Sequence, residues 1–204
     1  TITDNDLAPT LKVNSLTMTE TNATALATFT ITLSAASGQT VKVNYATSNG
    51  TAVAPADYAA KPLTAVTFLP GQTSKTVTVS VMGDLMDEPT ETFKLLLSSP
   101  VNATIATNTG TCTIVDNDAP PVLKLNSVAV TEGYSAVAVS FTVSLSSPSG
   151  HTVKVNYATS NGTAVAPADY TAKALTTLTF LPGQTSQIVR IAVSADSLDE
   201  AAET

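Results

Sequence analysis

One cysteine, one histidine and no tryptophan occur among the 204 residues. With Cys112 alone, neither an intrachain disulfide framework nor a cysteine zinc cluster can form. With His151 alone, multi-histidine metal sites are excluded, and any Ser-His-Asp or Cys-His catalysis would have to pass through that one imidazole. Charge is scarce as well: 12% of residues are charged, against roughly 25% in an ordinary soluble domain. Nine Lys+Arg set against sixteen Asp+Glu give a formal net charge of −7, which offers no basic patch to a nucleic acid. No apolar run approaches the roughly 18 residues that a membrane-spanning helix requires, so no membrane insertion is expected. What the sequence does have is apolar content of 43%, enough for a sizeable core, and a length that fits one large domain or two small ones.

The chain repeats itself. Residues 41–58 read VKVNYATSNGTAVAPADY, and residues 153–170 read the same, so residue 41 falls on 153 at an offset of 112. At that offset TFLPGQTS (67–74) falls on 179–186, Glu20 on Glu132 and Asp84 on Asp196. The opening TITDND (1–6) lines up with TIVDND (113–118). The expected organisation is therefore the tail of one repeat (1–6), a complete repeat (7–118) and an incomplete one (119–204) that lacks its last two strands, as in a window on a longer tandem array.

Each repeat reads as all-β. Apolar residues alternate in Phe29-Ile31-Leu33, Val41-Val43-Tyr45, Val77-Val79-Val81 and Phe93-Leu95-Leu97, the period of a half-buried strand. Thr and Val, both strand formers, dominate. Ser37-Gly38, Asn49-Gly50, Pro70-Gly71 and Asn108 to Gly110 mark turns. Seven strands are predicted, at about 10–20, 24–35, 40–47, 62–69, 73–83, 92–99 and 109–116. Seven short strands per repeat point to tandem immunoglobulin-like antiparallel β-sandwiches, the second copy truncated. Cys112 alternates with Ile114 on the last strand and reads as a core side chain.

The carboxylates fall in a pattern. The first repeat carries Glu20, Asp57, Asp84, Asp87, Glu88, Glu91, Asp116 and Asp118; the second carries Glu132, Asp169, Asp196, Asp199, Glu200 and Glu203; Asp4 and Asp6 precede them. If consecutive strands alternate in direction, the first, third, fifth and seventh all finish at one end. Every one of these carboxylates follows such a strand. No lysine or arginine lies between Asp84 and Glu91 or between Asp116 and Asp118. Carboxylates gathered without cationic partners raise one another's pKa or hold a cation. Hard oxygen ligands without nitrogen or sulfur suit Ca²⁺. The competing reading is a set of solvated acidic loops.

The ordered set TE, YATSNGTA..ADY, TFLPGQTS, GD.MDE..ETF and a closing DND resembles the Calx-beta repeat, over essentially the whole chain. The resemblance implies a seven-stranded sandwich with Ca²⁺ at its distal loops. It implies as ligands Glu20, Asp57, Asp84, Asp87, Glu88, Glu91, Asp116 and Asp118, and in the second repeat Glu132, Asp169, Asp196, Asp199 and Glu200, with Glu203 as a further candidate. The Asp-Asn-Asp tail is less acidic than that of the high-affinity sensors of the family, so fewer ions or weaker binding is implied.

Asp116-Asn117-Asp118 runs into Pro120-Pro121, a stiff connection at which Ca²⁺ would pin the joint between neighbouring repeats. The missing strands of the second repeat could be supplied by another copy through strand exchange; a longer parent protein is the plainer explanation. Asn22, Asn49, Asn102 and Asn161 open glycosylation sequons, which arise often by chance in a Thr-rich chain. His151 reads as a turn residue, and Tyr45, Tyr58, Tyr157 and Tyr170 as core. The functional expectation is a non-enzymatic, calcium-binding spacer, adhesive stalk or filament building block of a secreted or cell-surface protein with a protein or glycan partner. The alternative is a calcium-sensing regulatory module of a larger membrane or signalling protein.

Overall fold

The computed structural model describes residues 5–195, 197 and 201–204. Contacts divide the chain into two compact units, Thr1–Leu85 with Pro89–Asn117, and Met86–Glu88 with Asp118–Thr204.

In the first unit the strands are β1 (Thr10–Val13), β2 (Leu16–Thr19), β3 (Ala25–Leu33), β4 (Val41–Asn49), β5 (Thr64–Phe68), β6 (Ser74–Val81), β7 (Glu91–Val101), β8 (Thr104–Thr107) and β9 (Thr109–Val115). They form two sheets, β6-β3-β1-β8 and β2-β9-β7-β4-β5. Burial alternates along β3, β6 and β9, as a strand with one face on a core requires. Phe29, Phe68, Phe93, Val43, Val79 and Leu95 are fully buried between the sheets. Burying a side chain of this size contributes about 1.5–3 kcal/mol. Phe93 sits at the centre, stacked on Tyr58 with centroids 4.2 Å apart and edge-on to Phe29 at 5.9 Å. Cys112 is buried among these residues, as expected, and burial pushes its thiol up to about 11.

Two differences from the expected strands have physical causes. The predicted strand 10–20 is two strands in two sheets. At the break Asn14 N donates to Thr30 O (3.2 Å) and Asn14 Oδ1 accepts from Thr30 N (2.6 Å), while Ser15 Oγ accepts from Thr111 N (3.0 Å). One residue thus holds the sheet being left and the next holds the sheet being entered. Gly110 makes room, since a Cβ there would overlap Asn14 O. The second difference is β8, which follows a turn at Asn102 (φ 59°) and pairs with β1 in parallel. β2 and β9 are parallel as well, so the sandwich is not wholly antiparallel.

The second unit contains β10 (Leu123–Leu125), β11 (Val137–Leu145), β12 (Val153–Tyr157), β13 (Thr176–Phe180) and β14 (Ser186–Val193). They form a sheet β10-β11-β14 and a pair β12-β13. These repeat β1, β3, β4, β5 and β6 at the 112-residue offset. Among the described residues there is no counterpart of β7, β8 or β9. Residues 128–131, which match β2, form no strand. The cause is that β2 is held by β9, whose place in this unit no described strand fills. The core here is Val143, Leu145, Phe180, Val189 and Ile191.

No helix is long and apolar enough to cross a membrane among the described residues.

Candidate metal centre

Strand direction brings the acidic loops of the first unit to one end. β9 is antiparallel to β7, and β7 to β4. With β2 parallel to β9, strands β2, β4 and β9 all finish on the same side, and β6 runs with β1 because both are antiparallel to β3. Backbone hydrogen bonds then tie the loops together. Glu20 N donates to Val115 O (2.7 Å), which sets the end of β2 beside the end of β9. Ala59 N donates to Ser80 O (2.8 Å) and Met82 N to Asp57 O (2.9 Å), which fastens the Asp57 loop to the end of β6.

Gly83 completes the approach. It passes so close to the Glu20–Thr24 loop that a Cβ would overlap Thr21 O and come within 2.8 Å of Ala23 O. Asp84 therefore follows directly against Glu20. Its backbone N donates to Glu20 Oε1 at 3.2 Å. Glu20 is buried (7% exposed) and Asp84 exposed, and a carboxylate oxygen of one lies within 4.8 Å of one of the other.

A buried carboxylate with a second beside it, both oxygen donors, fits a hard divalent cation. One edge is protein and the Asp84 side opens to water, which leaves room for water ligands. Glu20 and Asp84 are the residues of this unit that would hold the ion; Glu88 falls in the second unit.

The other expected ligands are placed as follows. Asp57 Oδ2 accepts from Val53 N (2.6 Å), so one of its oxygens shapes its own loop. In that loop Asn49 Oδ1 accepts from Tyr58 OH (2.6 Å) and Ala54 N (3.2 Å), and the Ala54–Pro55 peptide is cis. Asp87 falls in the second unit, where its Oδ2 accepts from Ser149 Oγ (2.9 Å) and its carbonyl from Gly150 N (2.8 Å). Asp118 opens that unit with Oδ2 closed off from solvent. Glu91 starts β7, opposite Ile114, and Asp116 directly follows β9. None of Asp57, Glu91 and Asp116 is grouped with Glu20 and Asp84.

In the second unit Asp169 repeats the loop role of Asp57, with Oδ2 accepting from Val165 N at 2.6 Å. Glu203 stands beside it. Its carboxyl is raised above the usual carboxylate range by desolvation first, then by the charge of Asp169, a hydrogen bond shared with Asp169, and the charge of Glu132. Asp169 and Glu132 thus both act on Glu203. Asp196, Asp199 and Glu200 lie outside the described residues. In the sequence, Ala195 stands where the first repeat has Gly83.

Gly83 is the residue that reading the sequence for ligands missed. The signal was the glycine before Asp84 together with its loss at position 195.

A Calx-beta domain model matches residues 4–118 and again 116–204. The chain belongs to the Calx-beta family. Calx-beta domains are calcium-binding modules, and Ca²⁺ is the cofactor that the acidic cluster serves. Extracellular matrix protein 3 of Lytechinus variegatus is 36% identical over 138 residues, which cover 61% of this chain and 4% of that protein. This chain therefore spans a small fraction of that relative's length. Among solved structures, CBD12 from CALX1.2 matches at 23% identity with a TM-score of 0.49, over 90% of this chain and 75% of that one. The apo-form Calx CBD1 domain matches at 21% identity with a TM-score of 0.44, over 53% of this chain and 99% of that one.

Proposed function

We propose that this Calx-beta pair is a non-enzymatic structural element of a secreted or cell-surface protein, a spacer, adhesive stalk or filament segment whose joints Ca²⁺ stiffens. The observation that carries the reading is the approach of Asp84 to Glu20, built where the strands of the first repeat finish. Asp116 and Asp118 lead from that end straight into Pro120-Pro121. An ion drawing these loops together would restrict the connection between repeats, while the prolines already limit its φ angles. The extracellular setting is supported by the relative whose name places it in the extracellular matrix. Sites of extracellular modules work at roughly 10⁻⁴–10⁻³ M, which suits a pair of carboxylates with open water positions. The expected ligands Asp57, Asp87, Glu91, Asp116 and Asp118, and in the second repeat Glu132, Asp169, Asp196, Asp199 and Glu200, are proposed as an outer set. They add charge or complete further ions at the same end.

Small-angle scattering of the 204-residue chain tests the reading. Calcium should narrow the distribution of intramolecular distances and reduce flexibility, and chelator should reverse both. Identical scattering in calcium and in chelator would overturn the stiffening role.

A further inference from the structure

Four Asn-x-Thr triplets open at Asn22, Asn49, Asn102 and Asn161. A transferase that glycosylates such a triplet needs the asparagine amide and the hydroxyl two positions on. The fold uses these groups in three of the four. Asn49 Oδ1 accepts from Tyr58 OH (2.6 Å) and Ala54 N (3.2 Å), and the Thr51 hydroxyl of the same triplet accepts from Thr92 N (2.8 Å). Asn161 repeats the pattern, with Oδ1 accepting from Tyr170 OH (2.7 Å) and Ala166 N (3.0 Å). Asn102 sits in a left-handed turn (φ 59°), its Nδ2 donates to Thr40 O (2.9 Å), and Thr104 is paired in β8 with Thr10 of β1.

Asn22 differs. It lies in the short loop between β2 and β3, where residues 21–24 are all exposed. Among the described residues no hydrogen bond holds its amide. The loop is fixed on either side of it: Thr21 Oγ1 donates to Ala23 O (2.6 Å), and the carbonyls of both residues lie against Gly83. The Thr24 hydroxyl donates only to the thioether of Met82, at 3.8 Å, a weak acceptor that gives it up at little cost. The second repeat has Tyr134 at this position, so the feature belongs to the first repeat alone.

We propose that Asn22 is a site of N-linked glycosylation, the one triplet of the four that folding leaves open to the transferase. The transfer joins Asn22 Nδ2 to the anomeric carbon of a lipid-diphosphate-linked oligosaccharide. The bond from that carbon to the diphosphate breaks, the lipid diphosphate leaves, and the amide gives up one proton. The bulky, hydrated product stays in solvent. This inference rests on the secreted or cell-surface reading, because the sugar donor is met on the secretory route.

The test expresses the full chain behind a secretion signal in a eukaryotic host and maps the secreted protein by mass spectrometry after peptide N-glycosidase in heavy-oxygen water, which leaves a labelled aspartate wherever a glycan stood. Most chains should carry the label at position 22, and only a minor fraction at 49, 102 or 161. Asn22→Gln and Thr24→Ala should each remove the glycan from position 22, and treated and untreated wild-type protein should melt alike. An unlabelled position 22, labelling there no greater than at 49, or a glycan at position 22 that survives Thr24→Ala would each overturn the proposal. The host supplies the secretory route, so such a result contradicts this inference alone; natural protein confined to the cytoplasm would contradict the reading on which it rests.

Discussion

Gly83 crosses Thr21 with no space for a side chain between them: a Cβ on Gly83 would overlap the Thr21 carbonyl oxygen. Two loops separated by more than sixty residues are joined there by backbone rather than by side chains. The crossing is what sets Asp84 N on Glu20 Oε1 and brings the two carboxylates together.

Gly83→Ala should therefore act on binding and folding together. The overlap is with backbone atoms and cannot be relieved by a rotamer change, so a loss of about 1–3 kcal/mol is expected. Calcium stabilisation of the first unit should fall at the same time. Chemical denaturation with calcium and with chelator measures both. A variant with wild-type stability and wild-type calcium response would contradict the role given to the crossing.

Glu20→Gln separates repulsion from ligation. Two like charges about 4 Å apart repel by roughly 1 kcal/mol in water and more where water is excluded. Removing one should stabilise the calcium-free first unit by up to about that amount, while calcium binding weakens at least tenfold. Thermal unfolding in chelator and in calcium should show the two effects with opposite sign.

Much of this was readable from one repeat. Alternation in 29–33, 41–45 and 77–81 located β3, β4 and β6, because a strand with one face on a core must alternate. The division of residues 10–20 between two sheets shows in the sequence only as a slip of phase across Asn14-Ser15, from Leu11 and Val13 to Leu16 and Met18, and their partners Thr30 and Thr111 reveal the switch. β8 was missed because its four residues are held by β1, nearly a hundred positions away. The acidic end was legible from the spacing of the carboxylates. Asp57's use of an oxygen on its own loop was not, since a ligand and a loop cap look alike in sequence.

Phe93→Ala should cost about 3–5 kcal/mol in the first unit, because it empties the space between Tyr58 and Phe29. Tyr58→Phe should cost only about 1 kcal/mol, since Asn49 Oδ1 keeps the Ala54 N–H after losing the phenol. Equilibrium urea unfolding gives both values; equal losses would contradict the stacking arrangement.

Glu203 ties the stability of the second unit to pH. Its folded-state pKa lies above the unfolded value near 4.5, so the folded state binds more protons. In chelator, stability should fall as pH rises from the unfolded value through the folded one. Glu203→Gln should flatten that slope, and Asp169→Asn should reduce it. Thermal melts across pH 4 to about 7 would show it.

Cys112 should resist modification. A buried thiol pushed up to about 11 is protonated at pH 8 and closed to reagents. A maleimide should label it only on the unfolding timescale of the first unit. Rapid labelling of folded protein would contradict its place in the core.

Calcium titration of the intact chain by calorimetry, set beside the Glu20→Gln/Asp84→Asn double variant, is the most direct measurement. Wild-type protein should take up the ion with an affinity of roughly 10⁻⁴–10⁻³ M or tighter and melt at a higher temperature in its presence, and the double variant should lose the first unit's share of both. Neither heat nor thermal shift at millimolar calcium, or a double variant that responds as the wild type does, would show that the ion is not held by these carboxylates.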